Sequence, residues 1–314
     1  MTSPSPLVEL HHPLFDKFDV RVSIKRDDLI HPIISGNKWR KLKYNLLTAK
    51  SNAKEGIVSF GGAYSNHIHA LAYACKLKGL KSVGTIRGEP HYSDNATLSQ
   101  AASFGMTFDF VSRKEYRERA EPMYLQQLQK KYPNYLIVPE GGSNQLALQG
   151  VSEVVTELKQ QTNWDYLLTP VGSGGTIAGL LSAADQGSQV IGVSVLKQEG
   201  YLEQEVCALL ATIGVQAKNW QVVNQYHCGG YAKFTQKDQQ QMIEFAKQLD
   251  IPLEPIYSGK LILAFFDMLQ NHYFQPNSHI ILLHTGGLQG LKGLAEQSKI
   301  KASEWPWLPA LQAQ

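Results

Sequence analysis

Short apolar runs, many of them closing on glycine, alternate along this chain with stretches whose apolar residues recur at helical spacing. Residues 20–25 alternate apolar and polar side chains, as a half-buried strand does, and Arg26-Asp27-Asp28 ends the run. Residues 55–60 read as a short buried strand entering Gly61-Gly62, and between Ser65 and Lys78 the residues Ile68, Leu71, Ala72 and Cys75 share one helical face. Strands over 81–86, 107–111 and 135–138 and a helix over 95–104 continue the series. Ser112 is predicted to cap a charged helix that ends before Pro133. In the second half the pattern predicts strands over 164–170, 189–196 and 279–284, and helices over 175–184 and 237–249. Strand and helix in strict alternation indicate parallel βα units. The expected fold is therefore α/β, with two open parallel-sheet domains and an active cleft between them, since domain junctions favour small-molecule sites. The tail Trp305-Pro306-Trp307-Leu308-Pro309 cannot be helical throughout and is expected to pack against its own chain or a partner subunit.

Composition narrows the class. A chain of 314 residues holds one large domain or two ordinary ones, and 43% hydrophobic content with 26 Gly and 14 Pro is that of a soluble globular protein. The net charge of +3 comes without any dominant Lys or Arg block, which gives no case for nucleic acid. Neither a secretory signal nor an apolar run of bilayer length is present, so a cytoplasmic protein without membrane contact is expected. Cys75, Cys207 and Cys228 are far apart, odd in number and without metal spacing, which suits a reducing compartment. His67 and His69, two apart, do not share a helix face, so no metal pair is expected.

Candidate chemistry begins at Ser35-Gly36-Asn37-Lys38-Trp39-Arg40-Lys41-Leu42-Lys43-Tyr44. Ser35 or Asn37 suits the cap of a helix with Lys38 in its first turn, and spacing alone does not choose among Lys38, Lys41 and Lys43 as a reactive amine. The bland alternative is a solvated basic turn. A second stretch, Thr169-Pro170-Val171-Gly172-Ser173-Gly174-Gly175-Thr176, follows a strand and opens a helix. Its glycines let backbone N–H groups approach an anion, the helix start adds partial positive charge, and Ser173 and Thr176 add hydroxyls. The lysine of a triphosphate loop is absent, and Gly172, Gly174 and Gly179 lack dinucleotide spacing. A lone phosphate monoester fits better. Phosphate cup plus reactive lysine suggests pyridoxal 5′-phosphate, whose aldehyde forms a Schiff base with a lysine. In Gly61-Gly62-Ala63-Tyr64-Ser65-Asn66-His67, the amides around Ser65, Asn66 and His67 suit a substrate carboxylate. Ser65 is also placed to reach the reacting carbon, and Asn66 to bond the cofactor's ring oxygen; the bland reading of Ser65 is a plain N-cap.

Lys25-Arg26-Asp27-Asp28-Leu29, Ser35-Gly36-Asn37-Lys38-x-Arg40-Lys41-Leu42, Gly61-Gly62 with Ser65-Asn66-His67, Gly141-Gly142-Ser143-Asn144, the phosphate cup, Tyr257-Ser258-Gly259-Lys260 and His284-Thr285-Gly286-Gly287 occur in this order. Together they resemble the family of 1-aminocyclopropane-1-carboxylate deaminases and D-cysteine desulfhydrases, over about residues 20 to 290. The resemblance implies the tryptophan-synthase-like fold (fold type II) of pyridoxal-phosphate enzymes. Residues 1–38 with 150–314 would form a large cofactor-binding domain and 39–149 a small one, in a homodimer. It implies that Lys38 binds the cofactor covalently, that Gly172, Ser173, Gly174, Gly175 and Thr176 hold its phosphate, and that Asn66 lies on its ring. Ser65 and Tyr257 are then beside the substrate, and Tyr231 looks like the second active-site tyrosine of the family.

Two positions separate the activities. The deaminase members carry a glutamate directly after the tyrosine, where this chain has Ser258, and a neutral hydroxyl cannot stabilise a pyridinium as a carboxylate does. Thr285 follows the desulfhydrase-like His-Thr-Gly-Gly version. Either hydroxyl suits the ring nitrogen, with Ser258 preferred. The expected reaction is a D-cysteine desulfhydrase-like β-elimination giving pyruvate, ammonia and sulfide, with Lys38 as base and Tyr257 as acid or base. Alternatives are the cyclopropane deaminase, another amino-acid dehydratase or lyase, a β-replacement enzyme, a nicotinamide dehydrogenase and a non-catalytic phosphate-ligand binder.

Overall fold

The computed structural model describes residues 4–308, among which ten strands form: β1 (Leu7–Leu10), β2 (Val20–Lys25), β3 (Gly56–Gly62), β4 (Lys81–Arg87), β5 (Met106–Val111), β6 (Tyr135–Val138), β7 (Tyr166–Val171), β8 (Gln189–Ser194), β9 (Trp220–Val223) and β10 (Ser278–Leu283). They build a six-stranded sheet in the order β1-β2-β10-β7-β8-β9 and a four-stranded sheet in the order β5-β4-β3-β6. Only the edge pair β1–β2 is antiparallel; all other described pairings are parallel. An antiparallel edge strand on an otherwise parallel sheet is a common variant of such folds. β1 and β9, four residues each, are not marked in the sequence by an unbroken apolar run, since Glu9 and Gln221 interrupt them.

The described residues fall into two compact units, 4–37 with 151–288 and 38–150 with 289–308. The first boundary lies inside the first turn of the helix Asn37–Ser51, between Asn37 and Lys38. The segment from 289 onward groups with the second unit and not with the first. The cause is packing that the pattern does not encode. A Cβ on Gly293 would meet the Tyr64 ring at 2.6 Å, and Glu296 accepts from the Ala96 amide at 3.2 Å. In the tail, Trp305 and Leu308 are fully buried, while Pro309 lies outside the described residues.

One predicted element divides. The charged helix after Ser112 is two, Arg113–Arg117 and Pro122–Lys131. Ser112 does cap the first, accepting from the Glu115 amide at 3.1 Å. Pro122 has no N–H to continue a helix but suits the first position of a new one.

The Lys25-Arg26-Asp27-Asp28 stretch is scaffold. Lys25, fully buried, pairs with Glu157 at 2.7 Å and donates to the Ser5 carbonyl and Gln161. The Ser5 hydroxyl donates to Asp27, and Arg26 grips Asp28 through two bonds of 2.9 and 2.7 Å. Removing one partner of such a buried pair costs about 3–5 kcal/mol, because the other charge is left unpaired.

Candidate active site

In the first unit, β7 runs into Gly172-Ser173-Gly174 and the helix Gly175–Leu181 starts directly after. Gly174 is left-handed (φ 73°), which favours glycine, and a Cβ there would also press on the Val206 side chain at 3.3 Å. A Cβ on Gly172 would come within 3.2 Å of the Tyr257 ring, which packs over the turn. The buried amides of Gly175, Thr176 and Ile177 donate to no described acceptor, as the first turn of a helix dictates. Buried N–H groups of that kind call for an external acceptor. Thr176 is itself fastened, its hydroxyl accepting from the Asn37 side chain at 2.8 Å.

The Asn37 amide also donates to the Thr285 carbonyl at 3.2 Å. Here two glycine-containing segments interlock. A Cβ on Gly36 would stand 1.8 Å from the Thr285 oxygen, and one on Gly286 2.4 Å from Ser35 Oγ. Both glycines have positive φ, 69° and 76°. His284 anchors the second segment. Its Nδ1 accepts from the Gly286 amide, so its proton sits on Nε2 and is donated to the Pro252 carbonyl at 2.7 Å. The Thr285 hydroxyl, largely buried, makes no hydrogen bond among the described residues.

Ser258 is in a different state. Its hydroxyl accepts from the Glu254 amide at 2.9 Å and donates to Glu254, whose Oε1 lies at 3.1 Å. Glu254 accepts as well from the amides of Ile256, Tyr257 and Ser258 at 2.7–2.9 Å. Burial pushes this carboxyl up from its ordinary value, and those amides pull it back. The Ser258 proton is thus committed to the turn that presents Tyr257. Nothing in the local sequence marked Glu254. Tyr231, 46% exposed, stands edge-on to Tyr257 with ring centroids 6.1 Å apart.

In the second unit the three candidate lysines separate by environment. Lys41 is buried and donates to the Gly141 carbonyl at 3.1 Å and to Ser143 Oγ at 2.9 Å, so it holds the Gly141-Gly142-Ser143 turn. Lys43 lies over the Tyr44 ring at 5.1 Å. The Lys38 amine makes no hydrogen bond or ion pair among the described residues. Part of its surface stays accessible, yet the loss of hydration at depth lowers its pKa to about 8 from the ordinary 10.5. Glu140 opposes that shift and is itself clamped by Arg119 at 2.6 Å, a pair the sequence did not signal.

β3 ends at Gly61-Gly62, and Ser65 caps the helix Asn66–Leu77, its hydroxyl accepting from the Ile68 amide at 3.4 Å. The Ser65 proton remains available, and the amides of Asn66 and His67 donate to no described acceptor. The Asn66 side chain is also without a described partner, beside Gly290. His67 is different again: it is buried against Ser59 Oγ at 2.7 Å, and Ser59 passes its own proton to the Val138 carbonyl. Burial and the nearby Lys38 and Lys41 hold the imidazole neutral, well below its ordinary pKa. Through Nε2 its side chain is fastened to the scaffold, while Nδ1 is buried without a partner among the described residues. No group of metal-ligating side chains occurs among the described residues.

The chemistry of the donors suits pyridoxal phosphate: the first unit offers unsatisfied amides at a glycine turn and a Thr285 hydroxyl with no described partner, and the second a desolvated amine at Lys38. Comparison with known proteins agrees. A Thermotoga maritima protein bearing the provisional name 1-aminocyclopropane-1-carboxylate deaminase is 33% identical over 92% of this chain and 95% of its own. The bifunctional D-cysteine desulfhydrase/1-aminocyclopropane-1-carboxylate deaminase of Arabidopsis thaliana is 28% identical over 90% of this chain and 76% of its own. A crystal structure described as an ACC deaminase homologue shares the fold, with a TM-score of 0.79, 24% identity and coverage of 98% of this chain and 93% of that one. The family profile described as pyridoxal-phosphate dependent enzyme matches residues 2–286, and the chain belongs to that family.

Proposed function

We propose that this protein is a lyase that performs β-elimination on a small amino acid, in the manner of D-cysteine desulfhydrase. Cysteine and one water would give pyruvate, ammonia and sulfide. The observation that carries the reading is Lys38, an amine near pKa 8 with no described hydrogen-bond partner. Pyridoxal phosphate, when bound, supplies an aldehyde for amines and a ring that delocalises the electron pair left at Cα.

The chain's own residues divide the remaining work. The unsatisfied amides of Gly175 and Thr176, with Gly172, Ser173 and Gly174, would hold the phosphate, and Asn66 the ring oxygen. Thr285, whose hydroxyl is uncommitted, is the better partner for the ring nitrogen than Ser258. The amides of Asn66 and His67 would grip the substrate carboxylate. Lys38 would take the Cα proton, since a base near pKa 8 is partly neutral around pH 7–8 and still strong enough for the step. Ser65 has a proton to donate beside the substrate, and Tyr257 with Tyr231 would pass one to the departing group.

A neutral hydroxyl at the ring nitrogen favours elimination over ring opening, because elimination expels a good leaving group and tolerates a weaker electron sink. The first unit would then be the large cofactor-binding domain and the second the small domain. The protein would act in the cytoplasm as a homodimer, in keeping with three free cysteines and no described helix long and apolar enough to cross a membrane. The test is an absorbance spectrum before and after borohydride reduction, with peptide mapping, followed by pyruvate assay on D- and L-cysteine. A yellow band fixed onto Lys38 and pyruvate from one enantiomer are expected. A colourless protein that takes up no pyridoxal phosphate would overturn the proposal.

A further inference from the structure

The loop from Tyr226 to Lys233 is an unusual piece of backbone. Cys228, Gly229, Gly230 and Ala232 all have positive φ, at 52°, 92°, 120° and 52°. Two of the four carry a Cβ, so the conformation holds only where the surroundings over-determine it. Local bonds contribute: Gly230 donates to the His227 carbonyl at 2.9 Å, Gly229 to His227 Nδ1 at 2.8 Å, and the Lys233 amide to the Gly230 carbonyl at 3.1 Å. Further restraints come from the helix Ser258–Gln270, which begins directly after Tyr257. Near its start, Lys260 donates to the Gly230 carbonyl at 2.8 Å, and farther along Asp267 accepts from Tyr226 at 2.6 Å.

Lys260 is fully buried. A lysine whose only use is charge would sit at the surface; burial costs this ammonium hydration, and the charges around it recover only part of that. Its second acceptor is the Val195 carbonyl at 3.5 Å, just past the end of β8. One ammonium therefore joins the strand edge, the loop and the helix that follows Tyr257. The residue immediately after Gly230 is Tyr231, the ring that meets Tyr257 edge-on.

We propose that Lys260 is a positioning residue: by holding the Gly230 carbonyl it sets Tyr231 against Tyr257. The inference rests on the reading of these tyrosines as groups that meet the substrate. Lys260 touches neither cofactor nor substrate; it acts through the loop. Both tyrosines are thereby tied to the same short helix segment, Tyr257 by chain continuity and Tyr231 through the bond from Lys260 to the residue before it.

The test combines hydrogen exchange with kinetics on the cofactor-loaded protein, comparing Lys260→Met, Tyr231→Phe and the double variant with D-cysteine as the probe. In Lys260→Met the amides of 228–233 should exchange about tenfold faster, the effect of losing one charged hydrogen bond, while those of β7 and β10 are unchanged. Its kcat should fall about as far as in Tyr231→Phe, and the double variant should fall no further. Unchanged exchange in 228–233 would overturn the proposal, as would losses that multiply in the double variant. If Lys260→Met does not fold, Lys260→Gln, with a neutral donor on a shorter arm, takes its place in the same comparison. The exchange result needs no turnover, so failure of the desulfhydrase reading leaves it interpretable.

Discussion

Asn37 donates its side-chain amide to Thr176 Oγ1 at 2.8 Å, so the residue just before Lys38 is tied to the first turn of the helix behind the glycine cup. The two positions are 139 residues apart in the chain. Asn37→Ala leaves the Thr176 hydroxyl unfastened and loses about 1 kcal/mol, which corresponds to about fivefold weaker cofactor binding. Titration of the apoprotein with pyridoxal phosphate measures this, and an unchanged Kd would mean that Thr176 needs no such support.

Glu140 favours the charged form of Lys38. Glu140→Gln removes that influence, so the Lys38 pKa should fall below its present value of about 8. The pH dependence of amine labelling at Lys38 in the apoprotein reports the shift. A rise would show that the carboxylate acts on Lys38 in the opposite sense.

Lys38 also links stability to pH. Its folded pKa of about 8 lies below the ordinary 10.5 of the unfolded chain, so between those values the unfolded state binds a proton that the folded state does not. Below pH 8 the desolvated ammonium weighs against folding in full, and the penalty fades as pH rises to 10.5. Lys38→Met should therefore be more stable than the parent at pH 7, and its advantage should shrink across that window. Urea unfolding of both apoproteins at several pH values checks this; an advantage that grows with pH contradicts it.

Ser258 and Thr285 should behave oppositely. Ser258→Ala strips Glu254 of a buried donor and the Glu254 amide of its acceptor, costing about 1–3 kcal/mol in unfolding free energy with the visible spectrum of the loaded protein unaltered. Thr285→Val should leave stability close to that of the parent and shift the absorbance and its pH dependence. The reverse pairing would return the ring-nitrogen contact to Ser258.

Much of this protein is local and was therefore legible along the chain. Alternating strands and helices follow from apolar periodicity, and the glycine turn after β7 follows from the φ that Gly174 must adopt. The N-cap at Ser65 follows from short-range hydrogen-bonding rules, whereas Ser35 and Asn37, the cap candidates before Lys38, donate to Asp28 and Thr176 instead. Where two readings looked alike in sequence, neighbours brought from afar decided. Lys41 is committed because Gly141 and Ser143 reach it across about a hundred residues, which leaves Lys38 as the uncommitted amine. Within the first unit, a buried Glu254 takes the Ser258 proton, and Lys260 finds the Gly230 carbonyl 30 residues upstream. Periodicity records which face of an element is apolar. The acceptor that a buried donor meets on that face depends on how the elements pack, and only the tertiary structure supplies it.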